Sequence, residues 1–209
     1  PSWFVVLFTK NLLNSKMKQI LIQFLSNFSE LTQTQVNEMA DLMKVATFKK
    51  NSSIVKEGDY CTSCYFVLKG CLRQYIIQDG IEKTIAIYTE NQSINYFFNE
   101  DIQTKAENNL VCIEDSTILV GNPKSDAQLF SKFPMLVDIT RRMIEADLNT
   151  AQKNISTLIT SSPEQRYKHL LEERPDLIQR VPQHIIASFL GMTPESLSRI
   201  RKRIATVNK

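Results

Sequence analysis

The stretch Pro182–Arg203 reads PQHIIASFLGMTPESLSRIRKR, and its apolar residues fall into two short helical patterns on either side of a glycine. Pro182 opens the first pattern, and Gly191 can adopt the left-handed conformation that ends a helix. Thr193 is a favoured N-cap, and Pro194 is favoured at the first position of a helix. The apolar face of the first helix comprises Ile185, Ile186, Phe189 and Leu190. The stretch therefore predicts a helix, a tight turn and a second helix.

The second helix presents a polar and basic face. Its spacing buries Leu197, Ile200 and Ile204 and turns the charged residues outward. A helix of this kind suits the major groove of DNA, where Arg199 can pair with guanine and Glu195 can accept from cytosine. The residues predicted to read bases are Glu195, Ser196 and Arg199, and those predicted to contact phosphates are Gln183, Ser198, Arg201, Lys202 and Arg203. The competing interpretation is an ordinary helical hairpin with a solvated charged face.

The charge distribution agrees with a polyanionic partner for the C-terminal end. Residues 1–162 carry a net charge of −1, whereas residues 163–209 carry +4. A weakly acidic body joined to a basic end is typical of proteins that bind nucleic acid through that end.

A long helix is predicted to precede the basic end, running from Pro134 to about Ile159. At ~1.5 Å per residue it is nearly 40 Å long, more than one small domain can cover. A second copy of the chain can cover it through a heptad-like seam, so a homodimer is expected. The residues assigned to this seam are Leu136, Ile139, Met143, Ala146, Ile155 and Leu158. Ser161-Ser162-Pro163 ends the long helix, and three short helices are expected beyond it: Pro163–Glu173, Pro182–Leu190 and Pro194–Thr206.

Residues 47–121 follow a β pattern. β-branched and aromatic residues dominate, and turn signals divide the region. Asp79-Gly80 predicts a two-residue hairpin turn because both positions tolerate positive φ. The segments predicted as strands are Ser53–Glu57, Tyr65–Lys69, Leu72–Gln78, Ile81–Tyr88, Leu110–Glu114 and Thr117–Val120. Short strands without intervening helices predict an antiparallel sandwich or roll, so the whole chain is expected to be α+β.

The predicted organisation has four parts. Residues 1–16 differ from the rest and are taken as an N-terminal extension outside the fold. Residues 17–133 form the β-roll with flanking helices, of which one opens at Met17 and another follows the Thr32–Gln35 capping box. Residues 134–160 are the long helix. Residues 161–209 are the small all-α domain that contains the two-helix motif.

From Met17 onward, the chain resembles the Crp/Fnr family of transcription regulators in the order of these parts. Residues 57–75, EGDYCTSCYFVLKGCLRQY, are similar to the glycine-punctuated strands of the cyclic-nucleotide-binding roll, and residues 190–204, LGMTPESLSRIRKRI, are similar to the recognition motif. The resemblance implies a double-stranded β-helix as effector domain, a dimerisation helix and a C-terminal helix-turn-helix. It also implies double-stranded DNA, a second copy of the chain and RNA polymerase as partners.

The resemblance extends to individual DNA-reading positions. Glu195 and Arg199 fall on the family's acidic and arginine base-reading positions, and Ser196 falls on a small hydroxyl position. Pro194 replaces a residue that is often another arginine, so the preferred DNA sequence is expected to differ.

The chain departs from the family where cyclic AMP binds. Asn95-Tyr96 stands at the position of the family's Gly–Glu pair, and Asn108-Asn109 stands near its Arg–Ser pair. A buried phosphate needs a charge partner, and Lys105 is the nearest cation in the sequence. We therefore expect that cyclic AMP does not bind in the usual way, and that the pocket is empty or holds another small molecule. The candidate pocket residues are Tyr96, Phe97, Phe98, Lys105, Asn108, Asn109, Ala151 and Gln152.

Four cysteines offer a competing hypothesis. Cys61 and Cys64 have C-x-x-C spacing, and with Cys71 and Cys112 they make four thiols, the number that an iron–sulfur cluster needs in some relatives. Cys71 opens a predicted strand and Cys112 lies inside one, where small buried thiols are common. No metal site or cofactor is therefore assigned, and a cysteine-based redox sensor remains an alternative.

Two further classes of protein are relevant. A stand-alone ligand-binding signalling module that acts through a protein partner is an alternative to the DNA-binding regulator. An enzyme is not expected, since the sequence has no phosphate-binding glycine loop, zinc motif or paired carboxylates. No apolar run approaches the ~18 residues of a membrane span, and the cysteine usage is typical of a reducing cytoplasm.

Overall fold

A computed structural model describes residues 15–61, 63–94 and 105–207, with the backbone alone for residues 123–125 and 207. Two four-stranded antiparallel sheets face each other, with strand orders β1-β8-β3-β6 and β2-β7-β4-β5. The strands are β1 Val45–Phe48, β2 Ser53–Val55, β3 Cys64–Lys69, β4 Leu72–Gln78, β5 Ile81–Tyr88, β6 Ser93–Ile94, β7 Asn109–Cys112 and β8 Ser116–Gly121. These strands, residues 45–121, are called the roll below.

The inner core of the roll lies between the two sheets. It is formed by Ala106, which precedes β7, and by apolar side chains from the strands, namely Val55, Val67, Leu72, Ile94, Leu110, Cys112 and Ile118. The predicted hairpin at Asp79-Gly80 joins β4 to β5, and both residues have positive φ, 53° and 74°. The predicted α+β class and antiparallel roll are confirmed.

Helices cover the outer face of the sheet that contains β3 and β8. Helix α1 covers residues 15–25, α2 spans Gln33–Leu42 and α3 spans Pro123–Lys132. The capping box at the start of α2 is present, because Thr32 and Gln35 exchange backbone and side-chain hydrogen bonds. One apolar cluster joins these helices to the sheet, and it includes Leu21, Met39, Phe66, Phe133 and Leu136.

The long helix, α4, spans Met135–Thr160 and is followed by four helices. These are α5 Pro163–Glu173, α6 Pro175–Arg180, α7 Gln183–Phe189 and α8 Pro194–Val207. They are called the C-terminal unit below. Helix α6 was not predicted, because its six residues are too few to show helical periodicity between two prolines. Strands β1 and β6 were also missed.

The C-terminal unit and the roll share one apolar cluster. Cys71, Ile87 and Ile113 of the roll pack with Tyr167, Leu177, Ile186, Leu197 and other buried residues of the C-terminal unit. The C-terminal unit is therefore docked on the outer surface of the sheet that contains β4 and β5. Over the described part of the chain, no helix combines the length and the apolarity needed to cross a bilayer.

Candidate nucleic-acid interface and effector site

The turn between α7 and α8 has the predicted geometry. Gly191 has a φ of 65°, in the left-handed region that glycine adopts without strain. The hydroxyl of Thr193 accepts a hydrogen bond from the backbone N–H of Ser196 at 3.2 Å, so Thr193 caps α8. These local features fix the angle at which α8 leaves α7.

Helix α8 buries one face and exposes the other. Leu197 and Ile200 are buried in the shared cluster, and Ile204 packs against its edge. The face turned to solvent carries Glu195, Arg199, Arg201, Lys202 and Arg203, while Ser196 and Ser198 are half-buried. All the residues predicted to read bases thus lie on one side of α8 or at its start.

Some of the predicted phosphate contacts already have partners within the chain. Arg201 Nη1 donates to Gln183 Oε1 at 3.0 Å, and Arg203 forms an ion pair with Glu164 of α5. Hydrogen bonds from its own backbone N–H and from Thr193, together with the nearby charge of Arg199, lower the pKa of Glu195. Glu195 is therefore an ionised acceptor at neutral pH, as contact with a cytosine amino group requires.

Inside the roll, three of the described polar side chains near the predicted effector pocket, Gln74, Tyr88 and Asn108, form an uncharged network. Gln74 lies on the same side of β4 as the core residue Leu72 and donates to Asn108 Oδ1 at 2.8 Å. Tyr88 donates to Gln74 Oε1 at 2.7 Å. Arg73, the neighbouring cation, faces the other way and contacts Thr84 and Glu82 on the outer surface.

Helix α4 closes this end of the roll with a carboxylate. Asp147 accepts from the backbone N–H of Ser93 at 3.0 Å and from the Ser93 hydroxyl. Burial, with a smaller contribution from the Asp147 charge, raises the pKa of Tyr88 to about 12. A carboxylate at this position repels an anionic ligand and ties α4 to the roll.

The other candidate pocket residues do not converge on this network. The Lys105 ammonium lies 5.4 Å from the centre of the Tyr60 ring and is exposed. Asn109 accepts from the backbone N–H of Glu57, and Ala151 and Gln152 are exposed on α4. Tyr96, Phe97 and Phe98 lie outside the described residues.

A cavity that the sequence did not predict lies outside the roll. It has a volume of about 290 Å³ and is enclosed by α1, α3, α4 and the outer face of β3 and β8. Aromatic residues Phe24, Phe28 and Phe130 form much of its wall, and Ile144 of α4 lies at its edge. Residues from six separate elements meet here, since Ser93 of β6 also lines the cavity, so sequence spacing alone gives no signal for it.

The seam predicted on α4 needs correction. Leu136 and Ile139 are 5% and 4% exposed and pack in the chain's own core, and Met143 packs against the same cluster. Ala146 is exposed but lies away from the other exposed apolar residues of the helix. The exposed apolar stripe retains Ile155 and Leu158 of the predicted seam and adds Val137, Ile144, Leu148 and Ile159. The sequence pattern did not distinguish the face of α4 that contacts the roll from the face that is exposed to solvent.

The end of α4 contacts the turn of the helix-turn-helix. A Cβ added to Gly191 would lie 3.3 Å from Leu158 Cδ1, which shows how closely Leu158 approaches the turn. Arg166 Nη1 donates to the carbonyls of Leu158 and Ser161 at 3.2 and 3.1 Å and fixes the end of α4 against α5. Helix α4 therefore contacts the roll near its middle and the turn before α8 near its end.

The four cysteines are free thiols. Burial raises the pKa of Cys71 to about 12 and that of Cys112 to about 11, and burial also raises the pKa of Cys61 and Cys64. Thiolates are the reactive and metal-binding form, so these environments do not favour redox or cluster chemistry. Among the described residues, no group of three or more His, Cys, Asp or Glu side chains is arranged to hold a metal ion.

The comparisons with known proteins agree with this architecture. Residues 45–132 match the family model of the cyclic nucleotide-binding domain. No curated protein sequence matches the chain. The structure of FixK2 from Bradyrhizobium japonicum is similar with a TM-score of 0.64 at 18% identity, covering 79% of this chain and 86% of that one.

Two further solved structures share the fold. The global regulator CLP of Xanthomonas campestris, described as responsive to c-di-GMP, has a TM-score of 0.62 at 16% identity, with 85% and 93% of the two chains covered. A Crp/Fnr family transcriptional regulator from Thermus thermophilus has a TM-score of 0.56 at 17% identity, with 78% and 86% covered. Residues 45–132 are thus similar to the cyclic nucleotide-binding domain, and the chain has the fold of the Crp/Fnr regulators to which it was compared. The predicted resemblance is confirmed.

Proposed function

We propose that this protein is a cytoplasmic, homodimeric transcription regulator that binds double-stranded DNA through α8. The observation that carries the proposal is the geometry of α7 and α8. A glycine turn and a threonine cap hold α8 so that Leu197 is buried while Glu195 and Arg199 are exposed on the opposite side. Side chains of these types on an exposed helix face match the donor and acceptor pattern of the major groove.

The exposed stripe of α4 supports a dimer. Val137, Ile144, Leu148, Ile155 and Leu158 are 42–58% exposed, and their spacing repeats as seven, four and seven residues before the final step of three. Such spacing is that of a coiled-coil seam, and a second copy of α4 buries it. Two copies would present two α8 helices to half-sites about 34 Å apart on one face of the duplex.

The roll serves as the effector domain, and we infer that it does not bind cyclic AMP in the usual way. The network of Gln74, Tyr88 and Asn108 is uncharged, and Asp147 adds a negative charge where α4 meets the roll. Among the residues that the structure describes, this network offers a cyclic phosphate no charge partner of the kind that burial demands.

Contacts along α4 support a route from effector to DNA. A ligand that changes the roll near Ser93 moves Asp147, and the same helix carries Leu158 against the turn before α8. The relative placement of the two α8 helices then determines whether both half-sites are engaged. Contact with RNA polymerase would follow DNA binding.

The experiment that tests the proposal measures binding to DNA sites selected from a random pool. Arg199→Ala is expected to cost about 1–3 kcal/mol on the preferred site and to relax selectivity at one base pair, because it removes a base contact. Lys202→Ala is the matched control on the same exposed face. It is expected to weaken binding to all sequences alike and to reduce the salt dependence, because it removes a phosphate contact.

Either of two outcomes would contradict the proposal. One is a wild-type protein that selects no sequence and is displaced fully by competitor DNA. The other is an equal loss of affinity on every sequence for both variants, which would show that Arg199 does not read a base.

A further inference from the structure

The C-terminal unit is attached to the roll by polar contacts that converge on one side chain. Arg180 is the last residue of α6, and its guanidinium crosses to the roll. Nη1 and Nη2 donate to the two carboxylate oxygens of Glu90 at 2.8 and 2.9 Å. Nη2 also donates to Glu114 Oε1 at 2.5 Å and to the backbone carbonyl of Gly70 at 2.9 Å.

These acceptors come from three separate turns of the roll. Gly70 joins β3 to β4, Glu90 follows β5, and Glu114 follows β7. Glu90 Oε1 additionally accepts from the backbone N–H of Gly70 at 2.8 Å, so the turns are linked to each other as well as to Arg180. The hydrogen bonds from Arg180 lower the pKa of Glu90 despite its partial burial. One guanidinium thus bridges two carboxylates and links three loops.

Two smaller contacts flank this junction. Arg174 Nη2 donates to the hydroxyl of Thr89 at 2.8 Å, and Ser188 Oγ accepts from the backbone N–H of Thr84 at 2.9 Å. The apolar part of the attachment is modest on the side of the roll, where Cys71, Ile87 and Ile113 are the buried residues in the shared cluster.

The attachment of the C-terminal unit to the roll depends on Arg180, because its guanidinium supplies the positive charge between Glu90 and Glu114. Its side chain is 24% exposed, and those of Glu90 and Glu114 are 36% and 35% exposed, so the junction is partly shielded from water. Without the guanidinium, the partly buried carboxylates of Glu90 and Glu114 lose the cation between them, and the docked position becomes unfavourable. Helices α4 and α5 are joined by Ser161-Ser162 and held together by Arg166, so the C-terminal unit pivots about this end of α4 when the junction opens.

We propose that Arg180, Glu90 and Glu114 form a charged latch that holds the C-terminal unit on the roll, and that its opening releases the C-terminal unit as a separately moving body. The latch is a conformational switch within one chain. It leaves the exposed face of α8 uncovered, so it governs the position of α8 without blocking it. The inference holds whatever α8 binds.

Hydrogen exchange of backbone amides in the full-length protein tests the latch without DNA. In Arg180→Gln, exchange is expected to rise about tenfold or more in α6, α7 and the turn at Gly70, as expected for local opening. Exchange in the inner-core strands and in α4 is expected to stay within about twofold of wild type. Arg141→Gln is the matched control, because Arg141 also contacts two carboxylates, Asp138 and Glu145, but on the exposed surface of α4.

A milder pair of variants covers the case in which Arg180→Gln does not fold. Glu114→Gln removes one charge of the latch, and Glu145→Gln removes one charge of the exposed control. We expect the first to raise exchange in α6 and α7 by about threefold and the second to change nothing there. Unchanged exchange in α6 and α7 in both latch variants, or an equal rise throughout the roll, would overturn the proposal.

Discussion

Gly70 shows how a single position can link two parts of the molecule. Its φ is 118°, and its N–H and carbonyl contact Glu90 and Arg180 of the latch. A Cβ at this position would lie 2.7 Å from the backbone Cα of Ser116, so no change of rotamer can relieve the overlap. Glycine is therefore required here both for its conformation and for its small volume.

This requirement predicts the effect of Gly70→Ala. We expect a loss of about 3 kcal/mol in the free energy of unfolding, from a strained backbone and a clash with β8. Gly80→Ala is the matched control, since Gly80 has a φ of 74° but nothing within 4 Å of the added Cβ. Its expected cost is about 1 kcal/mol. Urea denaturation measures both, and equal losses would show that the clash is absent.

The cysteines give a second prediction at the level of residues. Cys61 and Cys64 are half-buried, whereas Cys71 and Cys112 are buried with pKa values of about 12 and about 11. In the native protein at pH ~8, we expect a thiol reagent to modify Cys61 and Cys64 well before the other two. Rapid modification of all four thiols without denaturant would contradict the described burial.

The raised pKa values of Cys71 and Cys112 also predict how the stability of the fold depends on pH. Because the pKa values of Cys71 and Cys112 are raised in the folded state, their contribution to stability is complete below pH 9.0, the ordinary thiol value. It is lost as the pH rises through the folded pKa values, about 11 and about 12.

At the scale of elements, α4 shows what sequence periodicity can and cannot resolve. The sequence predicted its length and its apolar character, because 26 residues give many helical repeats. It did not separate the face that packs on the roll from the exposed stripe, because both faces carry apolar residues at helical spacing. Leu136 and Leu148 have the same side chain, and only the tertiary contacts of α1 and α3 distinguish them.

The exposed stripe leads to a prediction about assembly. Leu148→Asp is expected to weaken the proposed dimer by about 100-fold or more, because it places a charge in an apolar seam in both copies. Ala146→Asp is the control, since it introduces the same side chain on the same helix outside the stripe. Sedimentation velocity measures the monomer–dimer equilibrium. Dissociation by Ala146→Asp but not by Leu148→Asp would favour the seam predicted from sequence.

At the scale of the whole molecule, the ligand preference of the roll can be tested directly. Titration calorimetry with cyclic AMP and cyclic GMP is expected to show no micromolar binding to either, since Asp147 and the uncharged network offer no partner for the phosphate. Micromolar affinity for either nucleotide would contradict this interpretation of the pocket.

The order of the parts was predictable along the chain, but their arrangement was not. The hairpin at Asp79-Gly80, the cap at Thr193 and the α8 face depend on neighbouring residues, so the sequence predicts them well. The latch joins Arg180 to Glu90 and Glu114, which are 90 and 66 residues away. No local pattern indicates such a contact, and the cavity beside α4 depends on distant elements in the same way.

The cluster shared by the roll and the C-terminal unit has a consequence for shortened forms of the protein. A chain that stops after Ser161 keeps every strand, yet it exposes Ile87 and Ile113, which the following helices cover in the intact chain. Two apolar side chains on a sheet surface, next to two carboxylates without their arginine, are poorly suited to contact with water. The isolated roll would tend to self-associate, because in the intact chain the helices that follow it shield this surface from water.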